Sequence, residues 1–160
     1  PPGIDAQYVI GGQANLWTEQ VYNMRQAEYM TWPRGFAIAE SIWSPNEKKN
    51  WTTFAEKTEE HFKRLDFSET KYAPAIYDPI FTIKRSADKQ LSIELTTEIE
   101  GLDIYYSFDN SSPDRFYPKY VTALVPPKDA NLIRVITYRG KQPIGRMISI
   151  LIADLQKRAR

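Results

Sequence analysis

The feature that most constrains this chain is a change in its hydrophobic period near Pro79. Before that point apolar residues recur at helical spacing, and after it they alternate with polar residues. A period of about 3.6 residues predicts amphipathic helices, whereas a period of about two predicts half-buried strands. We therefore expect two domains, residues 1–75 and residues 76–160.

Several signals in the first half predict helices. Asn23 and Gln26 resemble a capping box, Pro33 predicts a kink or a fresh helix, and Ser44–Glu47 is a further helix-start signal. The clearest apolar stripe has helical spacing and consists of Trp51, Phe54, Ala55, Thr58, Phe62 and Leu65. His61 lies at the flank of this stripe and is interpreted as a structural or surface histidine.

The second half predicts strands separated by turns. Alternating series occupy residues 91–97, 102–108 and 144–152. The predicted turn clusters are Ala87–Lys89, Asp109–Pro113, Pro126–Asp129 and Arg139–Lys141. Short strands at this spacing favour an antiparallel sandwich of immunoglobulin-like type.

The apolar run from Tyr8 to Trp17 contains two adjacent glycines and predicts a buried strand of a parallel sheet. Such a strand needs neighbouring strands, and the helical half contains none for it to pair with. We therefore expect the chain to be the C-terminal end of a larger α/β enzyme. The first residues, Pro1 and Pro2, agree with a chain cut from something longer.

Composition excludes several classes of function. Lys and Arg number 21 against 20 Asp and Glu, without a basic stripe, so no nucleic-acid partner is expected. The basic residues Lys157, Arg158 and Arg160 are interpreted as a solvated chain end. With no cysteine and one histidine, no metal site and no cofactor are expected. No stretch reaches the roughly 20 apolar residues of a membrane span.

Trp17 and Glu19 are the candidate site residues. In a strand, residues two apart point the same way, so the indole and the carboxylate should lie side by side at the carboxyl end of the strand. An indole face stacks on the C–H face of a sugar while a carboxylate accepts hydrogen bonds from its hydroxyls. The alternative is structural: a core tryptophan, and a glutamate that interacts with a helix dipole.

The motifs around these two residues resemble glycoside hydrolase family 20, the β-N-acetylhexosaminidases and chitobiases. The resemblance covers residues 8–75 and rests on GGQANLWTEQV, on WPRGFAIAESIWS, and on the spacing of Trp51, Phe54, His61, Phe62, Arg64 and Leu65. It implies the last strand and helices of a (β/α)8 barrel. Together with the second half, the expected fold is an α+β chain in which this barrel fragment precedes an immunoglobulin-like β-sandwich.

The resemblance also implies roles for individual residues. Trp17 would line the −1 sugar pocket, and Glu19 would bind hydroxyls of the terminal sugar. Arg34 and Glu40 fall in the family's PR....AE pattern and are interpreted as a structural ion pair or solvated charges. Gln13 and Asn15 are expected to hydrogen-bond within the barrel.

The stretch LDIYYSFDNSSPDRFYPKYV resembles the small β-sandwich appended to many chitobiases and hexosaminidases. Asn110 stands where that signature has glycine. Because asparagine tolerates a left-handed backbone, we expect the turn to be preserved. The resemblance implies a stabilising or spacer role for this domain.

The family mechanism is substrate-assisted. The 2-acetamido oxygen of the substrate attacks the anomeric carbon, and an adjacent Asp-Glu pair assists. This sequence contains no Asp-Glu dipeptide, and the adjacent pair Glu59–Glu60 is predicted to face solvent. We therefore expect no catalytic residue in this chain and no turnover by it alone.

The expected partners are glycans ending in N-acetylglucosamine or N-acetylgalactosamine, and the missing N-terminal part of the barrel. The resemblance places the parent protein in the periplasm, outside the cell or in the lysosome. The alternative function is a non-catalytic carbohydrate-binding or interaction module built on the sandwich. An exposed row of aromatic side chains would support it, and the candidates are Tyr105, Phe116, Tyr117 and Tyr120.

Overall fold

A computed structural model describes residues 6–85 and 90–159. The chain divides into two compact units that meet in sequence between Ala73 and Pro74. The first unit contains helices, and the second contains antiparallel sheets and one helix. The protein is therefore an α+β chain, as predicted. The predicted turn at Ala87–Lys89 lies outside the described residues.

The first two helices are separated by Pro33. Helix α1 spans Met24–Thr31, and helix α2 spans Arg34–Trp43. The side chain of Asn23 caps α1 by accepting a hydrogen bond from the Gln26 amide at 2.9 Å. Pro33 occupies the N-cap of α2, so the prediction of a fresh helix at this proline is confirmed.

Helix α3 spans Trp51–Phe67 and buries the predicted stripe at Phe54, Ala55, Thr58 and Phe62. Its start differs from the prediction, because Ser44–Glu47 leads only into a short 3-10 turn, Asn46–Lys48. Asn50 caps the helix instead, since its side chain accepts a hydrogen bond from the Thr53 amide at 3.0 Å. The His61 ring stacks on Phe36 of α2, with 4.6 Å between ring centroids.

The predicted strand over Tyr8–Trp17 is wrong for this chain. Among the described residues no strand precedes Ile80, and Tyr8 ends a short 3-10 turn, Ala6–Tyr8. Residues 9–18 are irregular and exposed. A strand needs a neighbour for its backbone N–H and C=O groups, and no other strand lies in this unit's described residues.

Six strands form two antiparallel sheets in the described part of the second unit. Strand β1 (Ile80–Arg85) pairs with β2 (Leu91–Thr96), with Ile83 opposite Ile93. In the other sheet β4 (Leu132–Arg139) is central and pairs with the three remaining strands, which are β3 (Asp103–Ser107), β5 (Gln142–Pro143) and β6 (Ile148–Leu151). Helix α4 (Ile152–Arg158) follows β6 directly.

Both sheets and α4 contribute to one core. Its buried members are Leu91, Ile93, Leu95, Ile104, Ile133, Val135, Ile152 and Leu155. Leu155 is fully buried, so α4 packs against this core. Lys157 and Arg158 are exposed, as predicted for the basic chain end, and Arg160 lies outside the described residues. None of the helices in the described ranges is long and apolar enough to cross a membrane.

Polar contacts fix the first residues of the second unit to its larger sheet. The buried Thr137 hydroxyl donates to the Tyr77 carbonyl at 2.7 Å. The Asp78 carboxylate accepts hydrogen bonds from the Arg146 backbone at 3.0 Å and from its guanidinium Nε at 2.7 Å. Asn110 has a φ of 66°, so the left-handed turn expected at this position is confirmed.

Candidate functional site

Trp17 and Glu19 lie on the exposed segment that precedes α1. The Trp17 side chain is 74% exposed. Glu19 is also exposed and lies in a turn in which the Val21 amide donates to the Thr18 carbonyl at 3.0 Å. The strand geometry expected to point the two side chains the same way is not formed, because residue 19 belongs to this turn.

The segment lies close to α2 at Gly12. A β-carbon added at Gly12 would lie 2.9 Å from Cδ1 of Ile42, so a larger residue would require the end of the Ile42 side chain to shift. Within the segment, the Gln13 side-chain amide donates to Oδ1 of Asn15 at 2.7 Å. This bond joins the two residues to each other, and their expected hydrogen bonds within a barrel stay a prediction.

A pocket of about 350 Å³ lies between this segment and the first two helices. Its polar side chains are already engaged: the Thr31 hydroxyl donates to the Ala27 carbonyl at 2.8 Å, and Arg34 donates to the Met30 carbonyl at 2.9 Å. The complete lining is Ala14, Asn15, Leu16, Met30, Thr31, Arg34, Gly35 and Ile38. One side of the pocket is therefore formed by the three residues that precede Trp17, and the other side by α1 and α2.

The turn that carries Glu19 is tied to α1 by Gln26, a functional candidate that sequence reasoning missed. The Gln26 side-chain amide donates to the Gln20 carbonyl at 2.9 Å, and its oxygen accepts from the Tyr22 amide at 3.1 Å. The capping-box pattern located Gln26 at the third position of the helix. It did not indicate that the side chain reaches back past the cap residue Asn23.

The family-pattern charges Arg34 and Glu40 have separate partners. Arg34 donates to the Met30 carbonyl in the last turn of α1, where a cation is favoured by the helix dipole. Glu40 forms an ion pair with Lys57 of α3 at 3.4 Å. The two residues therefore do not form the ion pair with each other that was one of the expectations, and both contacts are structural.

The adjacent acidic residues Glu59 and Glu60 both lie on helix α3. Glu60 is exposed, and its hydrogen bond and charge interaction with Lys63 lower the pKa of its carboxyl group. Glu59 is half-buried on the same helix. The described residues also contain no group of three histidine, aspartate or glutamate side chains placed to hold a metal.

The aromatic side chains of the second unit do not form an exposed row. Phe116 is 80% exposed, with the Arg115 guanidinium 4.7 Å from its ring centroid. Tyr105 packs edge-on against Tyr138 at 5.2 Å, and Tyr120 packs against the core. Tyr117 is half-buried. Packing thus accounts for most of the four candidates.

Comparison with known proteins finds a family match within the first unit. Residues 4–46 match the sequence model of the glycosyl hydrolase family 20 catalytic domain. The chain is 28% identical over 151 residues to a β-hexosaminidase of Porphyromonas gingivalis, an alignment that covers 93% of this chain. It is 32% identical over 60 residues, or 38% of its length, to a β-N-acetylhexosaminidase of Cellulomonas fimi.

The chain spans only part of these relatives: 19% of the Porphyromonas protein and 12% of the Cellulomonas protein. The matched range includes Trp17, Glu19 and Gln26. It ends within the 3-10 turn that follows α2. Residues 4–46 therefore match part of the family 20 glycosyl hydrolase catalytic domain, as the resemblance of GGQANLWTEQV and WPRGFAIAESIWS predicts.

Proposed function

We propose that this chain is part of a β-N-acetylhexosaminidase in which Trp17 and Glu19 form two walls of the pocket for the terminal sugar. The observation that carries the proposal is the family 20 match over residues 4–46, because it contains both side chains. Residues 1–75 would be the end of a (β/α)8 barrel, and residues 76–160 an appended immunoglobulin-like sandwich.

The exposure of the two side chains supports this role. The Trp17 indole is three-quarters exposed, so one of its faces is available to a ligand. The Glu19 carboxylate makes no hydrogen bond or ion pair with another described residue, which leaves both oxygens able to accept from sugar hydroxyls. An aromatic face beside a carboxylate favours a neutral polyol over a phosphorylated ligand, which the carboxylate would repel.

The chemical step would need residues outside this sequence. The 2-acetamido oxygen of a terminal N-acetylglucosamine or N-acetylgalactosamine would attack the anomeric carbon. An Asp-Glu pair from the rest of the barrel would orient the acetamido group and protonate the leaving oxygen. This chain would bind and orient the sugar without transferring a proton.

The proposal is tested by hydrolysis of nitrophenyl N-acetylglucosaminide in a longer protein that joins this chain to the rest of its barrel. Trp17→Ala should lower kcat/KM about 10- to 100-fold, because loss of an apolar stacking surface costs about 1.5–3 kcal/mol. Glu19→Gln should raise KM, since a neutral amide is a weaker acceptor than a carboxylate. The present chain alone should show no turnover.

Phe116→Ala and Glu47→Gln are matched controls, because each removes an exposed aromatic or carboxylate side chain outside the proposed pocket. Both should leave kcat/KM unchanged. Unaltered kinetics in Trp17→Ala and Glu19→Gln would return both residues to a structural role. A large loss of glycan binding in Phe116→Ala would instead favour the carbohydrate-binding alternative for the second unit.

A further inference from the structure

The carboxylate of Glu19 lies on a turn held to α1 by a single side chain. We infer that Gln26 is a positioning residue for Glu19, an inference that rests on the proposed sugar-binding role of that carboxylate. Gln26 would fix the direction in which Glu19 leaves the backbone, and so determine whether its oxygens reach the sugar hydroxyls.

The geometry shows how one amide group can do this. Nε2 of Gln26 donates to the carbonyl of Gln20 at 2.9 Å, and Oε1 accepts from the amide of Tyr22 at 3.1 Å. These two backbone groups lie on either side of Val21, whose own amide closes the turn onto Thr18 at 3.0 Å. The two peptide groups that flank Val21 are therefore both held, and the first of them begins one residue after Glu19.

Gln26 is itself held in place. Its backbone amide donates to Oδ1 of Asn23 at 2.9 Å, and its side chain is half-buried in the first turn of α1. Within the described ranges no other side chain hydrogen-bonds to the backbone of residues 18–22. Loss of the two Gln26 side-chain bonds should therefore make the turn at residues 18–22 more mobile, while α1 stays folded.

Both bonds involve backbone atoms of residues 20 and 22, so the side chains at those positions are not required. A shorter side chain at position 26 cannot reach either backbone group. A glutamate at position 26 can still accept from the Tyr22 amide, but it presents a second acceptor to the Gln20 carbonyl and cannot donate to it. Only an amide of this length supplies the donor and the acceptor together.

The test measures kinetics in the longer protein described above, together with hydrogen exchange of the Tyr22 amide. Gln26→Ala should accelerate that exchange and lower kcat/KM about tenfold, the order expected from one or two lost neutral hydrogen bonds. The change should fall mainly on KM, because sugar hydroxyls are bound before the chemical step. Gln26→Glu should give an intermediate loss.

Two control variants separate positioning from general stability. Asn50→Ala removes the cap of α3 in the same unit and touches neither Gln26 nor its contacts, so it should lower the melting temperature without raising KM. Gln20→Ala removes a side chain and keeps the carbonyl that Gln26 binds, so it should match the parent protein. An equal KM increase in Asn50→Ala and Gln26→Ala would overturn the inference.

The double variant Glu19→Gln with Gln26→Ala is the decisive measurement. If Gln26 acts through Glu19, removing it after Glu19→Gln should have little further effect on kcat/KM. An undiminished tenfold loss in that background would show that Gln26 does not position Glu19, while the sugar-site proposal stands. If Trp17→Ala and Glu19→Gln both leave kinetics unchanged, the proposed function fails, and this inference fails with it.

Discussion

Replacing Gly145 with alanine should force apart two backbone segments in the second unit. A β-carbon at this position would lie 2.0 Å from Oγ1 of Thr137 and 3.0 Å from the Tyr77 carbonyl oxygen. The first distance is far inside van der Waals contact. Thr137 cannot keep its present position, and it lies in the central strand β4 with no exposed surface.

The magnitude follows from what Thr137 would lose. Its hydroxyl donates to the Tyr77 carbonyl at 2.7 Å, a bond with a net value of about 1 kcal/mol. Displacement also leaves a buried hydroxyl and a buried carbonyl short of a partner, at about 1–3 kcal/mol. Gly145→Ala should therefore lower the free energy of unfolding of this unit by about 2–4 kcal/mol.

A double-mutant cycle with Thr137→Ala tests this reasoning. Thr137→Ala removes the atom that the new β-carbon would strike, so Gly145→Ala should be at least 1 kcal/mol less destabilising in that background. All four tryptophans precede Ala73, so their fluorescence does not report on this unit. Exchange protection of the Ile133 and Val135 amides in urea is the suitable readout. Equal effects of Gly145→Ala in both backgrounds would refute the steric account.

Three further predictions concern stability. Burial, and then the hydrogen bond from Tyr72 to Asp66, raise the pKa of Tyr72 from 10.0 to about 12. The folded state thus holds this proton more tightly, so the free energy of unfolding should fall between pH 10 and 12, and Tyr72→Phe should flatten that decline. Leu155→Ala should lower the free energy of unfolding, measured in denaturant, by about 3 kcal/mol, whereas the control Gln156→Ala should change it by no more than about 0.5 kcal/mol. Similar values for the two variants would contradict the packing of α4 against the core. Asn50→Ala should cost about 1 kcal/mol by tryptophan fluorescence, and an unchanged midpoint would contradict its capping role.

Helix α3 could be predicted because its apolar residues recur at helical spacing and form one buried face. The predicted stripe members Phe54, Ala55, Thr58 and Phe62 are its buried residues. Its start was harder to predict, since Ser44–Glu47 and Asn50 both carry helix-start chemistry. Only the structure shows that the Asn50 side chain meets the Thr53 amide, while the earlier signal leads into a 3-10 turn.

The central strand β4 was not predicted, because consecutive buried residues interrupt the alternation of apolar and polar residues that identifies a strand. Residues 135–138 are buried in succession, so the alternation that identified β2 and β3 is absent. The predicted turns before and after it bounded the segment without identifying a strand. The opposite error occurred at residues 144–152, where alternation suggested one strand. Only Ile148–Leu151 is a strand, and Ile152 begins α4, where it is buried three residues from Leu155.

The segment from Tyr8 to Glu19 shows why the geometry of a proposed binding site is harder to predict than a helix. A helix satisfies its own backbone, so α1 forms within one unit, whereas a strand forms only beside another strand. Ile10 and Trp17 are therefore exposed here although their neighbours resemble a buried strand. What fixes this backbone locally is not its own pattern but two contacts from helices: Ile42 facing Gly12, and Gln26 holding the turn after Glu19. Local sequence thus identifies which side chains could bind a sugar, and tertiary contacts determine where they point.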